Sequence, residues 1–210
     1  IQVLTETFKE YNRWGRILGV NTVGRLNEII AANEIRDFVK VAEALHEKKI
    51  AAIADQIASN PSVKWILIAG PSSSGKTTFA KRLAIQLRVN GLRPVTMGTD
   101  DYFVDREHTP RTATGEYDFE HLHAVDIPTL NKDLSDLDAG REIQLPTFDF
   151  LTGARMYKGK KLKLQEDQVV VLEGIHSLNP ELSPGLPESR KFHIYISALT
   201  QLNLDNNNRI

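Results

Sequence analysis

The sequence predicts an α/β fold, in which a mostly parallel sheet carries helices on its faces and is preceded by an α-helical segment. From residue 61 onward, short apolar runs alternate with stretches of helical periodicity, as expected for parallel strands joined by helices. Before residue 61, apolar residues recur at helical spacing without a strand-like run. We therefore expect a helical segment at residues 1–60 and an α/β domain at residues 61–210.

The N-terminal segment is predicted to hold one long amphipathic helix and two shorter ones. Apolar side chains recur at helical spacing between Ile35 and Ile57, Asn33 is the predicted N-cap, and the helix should end near Ser59. The two shorter helices are expected at residues 6–16 and 24–30. This part is interpreted as a helical linker or docking element.

The elements of the α/β domain follow from apolar runs and from the residues that bound them. Strands are predicted at residues 65–69, 95–98, 169–172 and 192–196, and helices at residues 76–89 and 126–139. Gly91 and Gly140 are expected to close the two helices, while Asp126 caps the second and Pro128 lies in its first turn. Residues 145–164 read as a hairpin-like insertion.

Composition limits the classes of protein to consider. Of 210 residues, 41% are hydrophobic and 25% are charged, which is ordinary for a globular protein. The formal net charge of −1 gives no reason to expect attraction to nucleic acid or a membrane. Cysteine is absent and no signal-peptide pattern is evident, so we predict a cytoplasmic location. Because the chain starts with Ile1 and stops after an Asn-rich run, we expect it to be part of a longer protein.

A glycine- and serine-rich loop lies between the first predicted strand and the following helix. It reads Gly70-Pro71-Ser72-Ser73-Ser74-Gly75-Lys76-Thr77, followed by Thr78. Small residues let successive backbone N–H groups turn inward around a phosphate, and the helix N-terminus adds partial positive charge. The lysine of such a loop reaches the β- and γ-phosphates, and the threonine hydroxyl ligates Mg²⁺. These residues predict a P-loop that binds a nucleoside triphosphate.

Carboxylates are found at the ends of two other predicted strands. Asp100 and Asp101 follow the second strand, and Glu173 ends the third. In a doubly wound sheet the ligand crevice lies at the carboxyl ends of the strands, so these side chains should face the P-loop. Asp100 is predicted to orient an acceptor hydroxyl and take its proton, alongside Lys76 as the second catalytic side chain. Glu173, together with Thr77, is the predicted Mg²⁺ site.

Aromatic and acidic side chains mark a third region, residues 115–126 with 146–155, that suits a small ring-bearing ligand with hydroxyl groups. The predicted substrate contacts are Asp101, Tyr102, Tyr117, Glu120, His121, Phe148 and Arg155. An equally weighted alternative is that the phenylalanines of this region serve packing alone.

These motifs together resemble the uridine kinase and phosphoribulokinase family, and most closely its uridine kinase-like branch. The resemblance covers residues 64–196 and rests on Gly70–Thr78, Asp100–Phe103, Tyr117–His121, Ile127-Pro128, Pro146–Phe150 and Leu172–Gly174. It implies that Asp100 is the catalytic aspartate, Glu120 contacts sugar hydroxyls, and Glu173 is the Mg²⁺-associated carboxylate. It also implies an arginine-bearing lid beyond Ile210, so we expect residues 1–210 alone to be weakly active or inactive as a kinase.

Two positions depart from the uridine kinase pattern. Those kinases usually carry Tyr at the position of Phe148 and His at the position of Gly153, and both normally contact the pyrimidine. Loss of a polar partner in a buried site costs about 1–3 kcal/mol, enough to change base preference. Residues 1–60 resemble the end of the threonyl-tRNA synthetase-like region that precedes the kinase in some bacterial members.

The sequence thus favours an ATP- and Mg²⁺-dependent kinase that phosphorylates a hydroxyl of a uridine- or cytidine-like nucleoside or a related small molecule. A sugar phosphate or pantothenate remains open as the acceptor. The alternative from another class is a nucleotide-responsive binding module linked to RNA. Whether the chain forms a homo-oligomer also stays open.

Overall fold

The computed structural model describes residues 2–197 and 202–204 of the chain. The described residues form two compact units, residues 2–49 with 202–204 and residues 50–197. Among them, no helix combines the length and the apolar composition that crossing a membrane would require.

The first unit is helical, as predicted. Its helices are α1 (Gln2–Leu18), α2 (Val23–Ala31) and the beginning of α3 (Ile35–Ala58). Thr22 caps α2 by accepting a hydrogen bond from the backbone N–H of Arg25 at 3.2 Å.

The N-cap prediction for Asn33 is wrong. Its φ of 61° places it in the left-handed region, and it follows the C-cap of α2 rather than starting α3. The backbone N–H of Asn33 donates to the carbonyl of Ile30 at 3.0 Å, and that of Glu34 donates to Ile29 at 3.0 Å. This is the bonding pattern of a Schellman motif, in which Asn is the usual substitute for glycine. Asn33 therefore ends α2 and does not start α3, although it lies in the turn between the two helices.

The second unit contains a four-stranded parallel sheet, which confirms the predicted fold class. Its strands are β1 (Trp65–Ala69), β2 (Arg93–Gly98), β7 (Gln168–Glu173) and β8 (Lys191–Tyr195), in the spatial order β2-β7-β1-β8. The four predicted strands are therefore all present, with bounds within two residues of those expected. Alternating residues of β1 serve opposite faces: Trp65 and Leu67 belong to one core, and Ile66 and Ile68 to the other.

Two helices flank the sheet as predicted. Helix α4 (Lys76–Val89) buries Phe79, Leu83 and Leu87, and α5 (Ile127–Asp138) packs into the opposite core through Leu130 and Leu134. These side chains recur every three or four residues, so each helix presents one apolar stripe to the sheet.

The ends of the two helices also match the sequence signals. The Asp126 side chain accepts from the backbone N–H of Thr129 at 3.1 Å and caps α5. Gly91 and Gly140 follow α4 and α5 with φ of 83° and 73°, the left-handed geometry that ends a helix.

The hairpin-like insertion is present as two short antiparallel ladders, one nested inside the other. The outer ladder pairs β3 (Ile143–Gln144) with β6 (Lys161–Leu162), and the inner one pairs β4 (Thr147–Asp149) with β5 (Ala154–Met156). The inner ladder carries Phe148 opposite Arg155, so two predicted substrate contacts share one hairpin.

Candidate active site

The register of the sheet brings three strand ends together. Glu173, the last residue of β7, lies opposite Ile68 of β1 and Gly98 of β2. The loop after β1 and the turn after β2 therefore leave the sheet on either side of Glu173. Because all strands run parallel, these segments share the carboxyl edge, where ligands bind in open α/β sheets.

The loop after β1 has the backbone geometry of a phosphate cradle. Ser73 and Gly75 have φ of 57° and 86°, so the chain passes twice through left-handed conformations before α4 begins at Lys76. A Cβ on Gly70 would meet the carbonyl oxygen of Ile196, so this position requires glycine for close packing. Consecutive turns of this kind direct backbone N–H groups to one side, toward an anion.

Lys76 and Ser74 place two polar side chains within the loop. The Lys76 ammonium donates to the carbonyl of Pro71 at 2.7 Å, which brings its charge back across the loop. The Ser74 hydroxyl is buried and, among the described residues, has no hydrogen-bond partner. A buried hydroxyl of this kind is one of the groups that a phosphate oxygen would satisfy.

Thr77 and Glu173, the two predicted metal ligands, contact each other directly. The Thr77 hydroxyl donates to Glu173 Oε1 at 2.7 Å, although the residues are 96 positions apart. Both groups present hard oxygen atoms, the type of ligand that Mg²⁺ prefers.

Asp100 lies in a 3-10 turn, Thr99–Tyr102, that leaves the end of β2. Desolvation by the surrounding residues raises the pKa of the Asp100 carboxyl above its usual range, although the residue keeps an exposed surface, and the negative charge of Glu173 raises this pKa further. The Lys76 ammonium acts in the opposite direction. The charges of the P-loop lysine and of Glu173 therefore both act on Asp100, which is the grouping that the sequence predicted.

Gly174 allows close packing at the end of β7. A Cβ at this position would overlap the Thr99 side chain, which is itself buried. Absence of a side chain at Gly174 thus allows the turn that carries Asp100 to lie against the end of β7.

The predicted substrate contacts do not all gather around Asp100. Asp101 accepts a hydrogen bond from the backbone N–H of Phe148 at 3.4 Å, and burial raises the pKa of its carboxyl. Tyr102 points into the core, where it is only 1% exposed and its hydroxyl donates to Asp133 Oδ2 at 3.1 Å. The hydrogen bond of Asp101 therefore connects the inner hairpin to this turn. The hydrogen bond of Tyr102 connects the turn to α5.

Arg155 is engaged by a charged partner. Its Nη1 lies 2.7 Å from Asp126 Oδ2, and each of the two side chains is 21% exposed. Burial alone would raise the pKa of Asp126, but the hydrogen bonds from Arg155 and Thr129 hold that pKa below its usual range. The same carboxylate therefore caps α5, as predicted, and also anchors the inner hairpin through Arg155. The sequence analysis did not include this second contact.

The aromatic side chains of the third region form one packed cluster. Phe148 is buried, with its ring centroid 5.5 Å from Phe103 and 5.0 Å from Phe150 in edge-to-face geometry. Phe150 is 56% exposed at the margin of this cluster, and Tyr117 stacks under the Arg111 guanidinium at 4.2 Å. Packing thus explains Phe148, whereas Phe150 retains a free ring surface.

Glu120 and His121 lie in an exposed turn ahead of α5. The Asp118 carboxylate accepts from the backbone N–H of Glu120 at 3.0 Å, and the His121 ring accepts from the N–H of His123 at 3.1 Å. His176 reaches the same turn, since its Nε2 lies 2.6 Å from the carbonyl oxygen of Glu120. The sequence analysis missed His176; its position three residues beyond Glu173, in Glu-Gly-Ile-His, was the available signal.

The chain matches the model of the phosphoribulokinase / uridine kinase family over residues 65–209. Uridine kinase from Chloroflexus aurantiacus is 34% identical over 108 residues, which cover 51% of this chain and 50% of that protein. Inorganic pyrophosphatase TTM2 from Arabidopsis thaliana is 30% identical over 125 residues, 60% of this chain and 17% of that protein. The matched part of this chain thus spans about half the length of the bacterial relative.

A solved structure of a possible uridine kinase from Bacillus stearothermophilus superposes with a TM-score of 0.52 and 26% identity, covering 63% of this chain and 70% of the other. The family match begins at residue 65, so the likeness of residues 1–60 to a synthetase region stays a prediction. The parallel sheet, the P-loop and the family match lead to one conclusion: the chain belongs to the phosphoribulokinase / uridine kinase family of kinases.

Proposed function

We propose that this protein transfers the γ-phosphoryl group of ATP to a hydroxyl of a nucleoside or related small molecule. The observation that carries the proposal is the grouping of three side chains at the edge of the sheet. The Glu173 carboxylate accepts a hydrogen bond from the Thr77 hydroxyl of the P-loop at 2.7 Å. The negative charge of the same carboxylate raises the pKa of Asp100. A nucleotide-binding element and a candidate proton acceptor thereby adjoin the same carboxylate.

Three features of the P-loop support nucleotide binding. The left-handed conformations of Ser73 and Gly75 and the N-terminus of the 14-residue helix α4 favour an anionic ligand. Lys76 would exchange its bond to the Pro71 carbonyl for phosphate oxygens, a stronger charge-assisted contact. We expect the Ser74 hydroxyl to gain its partner in the same step.

Thr77 and Glu173 fit a magnesium ion by the chemistry of their donor atoms. Described residues include no cluster of three or more His, Cys, Asp or Glu side chains arranged to hold a metal. Mg²⁺ at a triphosphate needs no such cluster, because phosphate oxygens and water supply most of its ligands. Thr77 and Glu173 would hold the ion, which neutralises developing charge on the phosphates when it is bound.

Asp100 would act on the acceptor. Its carboxylate would accept a hydrogen bond from the acceptor hydroxyl and take the proton as the hydroxyl oxygen bonds to the γ-phosphorus. The bond between that phosphorus and the bridging oxygen breaks in the same transfer, and ADP leaves with the electron pair. A pKa raised by desolvation and by Glu173 makes Asp100 a better proton acceptor than an aspartate at its ordinary pKa.

The inner hairpin limits which acceptors the site could recognise, but it does not identify a single compound. Phe148 is 5% exposed, and a side chain on Gly153, whose φ is 71°, would overlap Arg106. At the two positions where uridine kinases carry polar base contacts, this chain therefore has residues that pack closely against their neighbours. We infer that recognition depends more on the hydroxyl-bearing part of the acceptor, through Glu120, than on a particular base.

An acceptor screen tests the proposal on the intact protein. ADP formation would be measured with ATP and Mg²⁺ against nucleosides, sugar phosphates, pantothenate, RNA alone and no acceptor. We expect ADP release only with a small hydroxyl compound, and a matching phosphorylated product. Nucleotide binding without any acceptor-dependent ADP, or a response to RNA alone, would instead favour a nucleotide-responsive module.

The pH profile gives a second expectation for the same site. Since Asp100 must be ionised to accept a proton, kcat/KM should fall as the pH drops through the pKa of its carboxyl. Desolvation and Glu173 raise that pKa, so the acid limb should lie above the ordinary aspartate value of about 3.9. ATP affinity measured over the same pH range is the control. A rate that stays constant down to pH of about 4 would contradict the assignment of Asp100.

A further inference from the structure

His176 connects the metal side of the candidate site to the acceptor side. It lies three residues beyond Glu173, in a segment whose backbone is held by several turns. The N–H of Gly174 donates to Ile68 at 3.1 Å, and that of Asn179 donates to the His176 carbonyl at 2.7 Å. The base of the His176 side chain is therefore fixed relative to β1 and β7.

The tip of the same side chain contacts the turn that carries Glu120. Its Nε2 is 2.6 Å from the Glu120 carbonyl oxygen, across 56 positions of sequence. A carbonyl oxygen only accepts, so Nε2 must carry the proton in this contact. His176 is half-buried, whereas Glu120 itself is exposed.

Other restraints on this turn come from its own hydrogen bonds and from Phe119, whose ring lies 5.4 Å from Phe103 and 6.1 Å from Phe148. Asp118 accepts from the N–H of Glu120 at 3.0 Å, and the Asp118 carbonyl accepts from the N–H of His121 at 3.3 Å. Both bonds shape the turn, and the Phe119 ring connects it to the aromatic cluster. The bond from His176 adds a separate restraint, since it joins the turn to the segment immediately after Glu173.

We infer that His176 is a positioning residue, which holds the Glu120 turn at a set distance from Glu173 and so aligns the acceptor with the nucleotide. The inference rests on the proposed function. It assigns to His176 no contact with the substrate and no proton transfer. Its effect should therefore appear in acceptor binding and alignment, with ATP binding unchanged.

Two substitutions in the intact protein separate the hydrogen bond from the bulk of the ring. His176→Leu removes the donor, whereas His176→Gln places an amide N–H near the position of Nε2. We expect His176→Leu to raise the acceptor KM by about 3- to 10-fold. The KM of His176→Gln should lie close to that of the wild type. The affinity for a nonhydrolysable ATP analogue should stay within about twofold in both variants. His193→Leu, on an exposed strand position, controls for loss of an imidazole.

Amide hydrogen exchange supplies a readout that does not need activity. Exchange in residues 118–124 should be faster in His176→Leu than in the wild type or His176→Gln, with residues 70–78 unchanged. Unchanged exchange in His176→Leu, or equal KM values in all variants of an active enzyme, would overturn the positioning role alone. Absence of acceptor-dependent turnover in the wild type would overturn the proposed kinase, and the positioning role with it.

Discussion

Asp100→Asn should lower kcat by about 10²- to 10⁴-fold while leaving ATP affinity within about twofold. The amide keeps the size of the carboxylate and its ability to accept a hydrogen bond, but it cannot take the proton of the acceptor hydroxyl. Nucleotide binding depends on the P-loop amides and Lys76, which this change leaves in place. Steady-state kinetics with saturating ATP, paired with equilibrium binding of an ATP analogue, measure the two effects separately.

The same substitution should stabilise the folded protein at neutral pH. The pKa of Asp100 is raised in the folded state, so the ionised form destabilises the fold above that pKa, and the penalty is lost as the pH falls through it. The neutral amide avoids the penalty, and the unfolding midpoint should rise at pH 7 but converge with the wild type in acid. A gain in stability coupled to loss of turnover is expected where a charged group is held in a desolvating site for function.

Asp167→Asn is the matched control, because it makes the same change at the opposite end of β7. Asp167 lies 3.4 Å from Arg93 in an exposed ion pair, so its loss should leave both kcat and stability nearly unchanged. If Asp100→Asn weakened ATP binding as much as it slowed transfer, Asp100 would be part of the nucleotide site instead of the acceptor site.

The fold was predictable because its signals are local. The apolar runs of β1 and β7, the P-loop spacing and the glycines after α4 and α5 each act within a few residues of sequence. Asn33 shows the limit of this approach, since the same residue type begins helices and ends them. Only the hydrogen bonds of Asn33 and Glu34 to the end of α2 distinguish the two.

The candidate site was predictable where strand order brings residues together. Parallel strands end at one edge, which allowed Asp100, Lys76 and Glu173 to be grouped from sequence. Contacts that depend on how loops fold over that edge were not predictable in this way. The Tyr102 bond to Asp133 and the His176 bond to Glu120 join residues 31 and 56 positions apart, and no periodicity or motif spacing encodes them.

Aromatic residues illustrate the same limit. A phenylalanine that stacks on a ligand and one that packs in a core are identical in sequence, and both readings were open for Phe148. Its 5% exposure and its edge-to-face neighbours show that the Phe148 ring packs in the aromatic cluster. The substrate contacts predicted for Tyr102, Phe148 and Arg155 stay untested, but each of these side chains now has a structural partner.

Lys76→Ala should reduce ATP affinity by at least about 100-fold and abolish turnover as a consequence. The lysine supplies a mobile positive charge inside the loop, whereas the backbone amides supply only partial charges. In the present structure its ammonium is 2.7 Å from the Pro71 carbonyl, so truncation removes both the phosphate contact and a bond that spans the loop. Titration with a fluorescent or nonhydrolysable ATP analogue measures the loss directly.

Lys81→Ala provides the comparison, because Lys81 is an exposed lysine on the same helix, one and a half turns further on. Removing it lowers the positive charge of α4 equally but leaves the loop intact. If the effect of Lys76 were general electrostatic attraction, both variants would weaken binding to a similar extent and added salt would weaken the wild type likewise. A loss confined to Lys76→Ala, and largely insensitive to salt, would mean that the triphosphate is held by a specific contact from Lys76 within the P-loop.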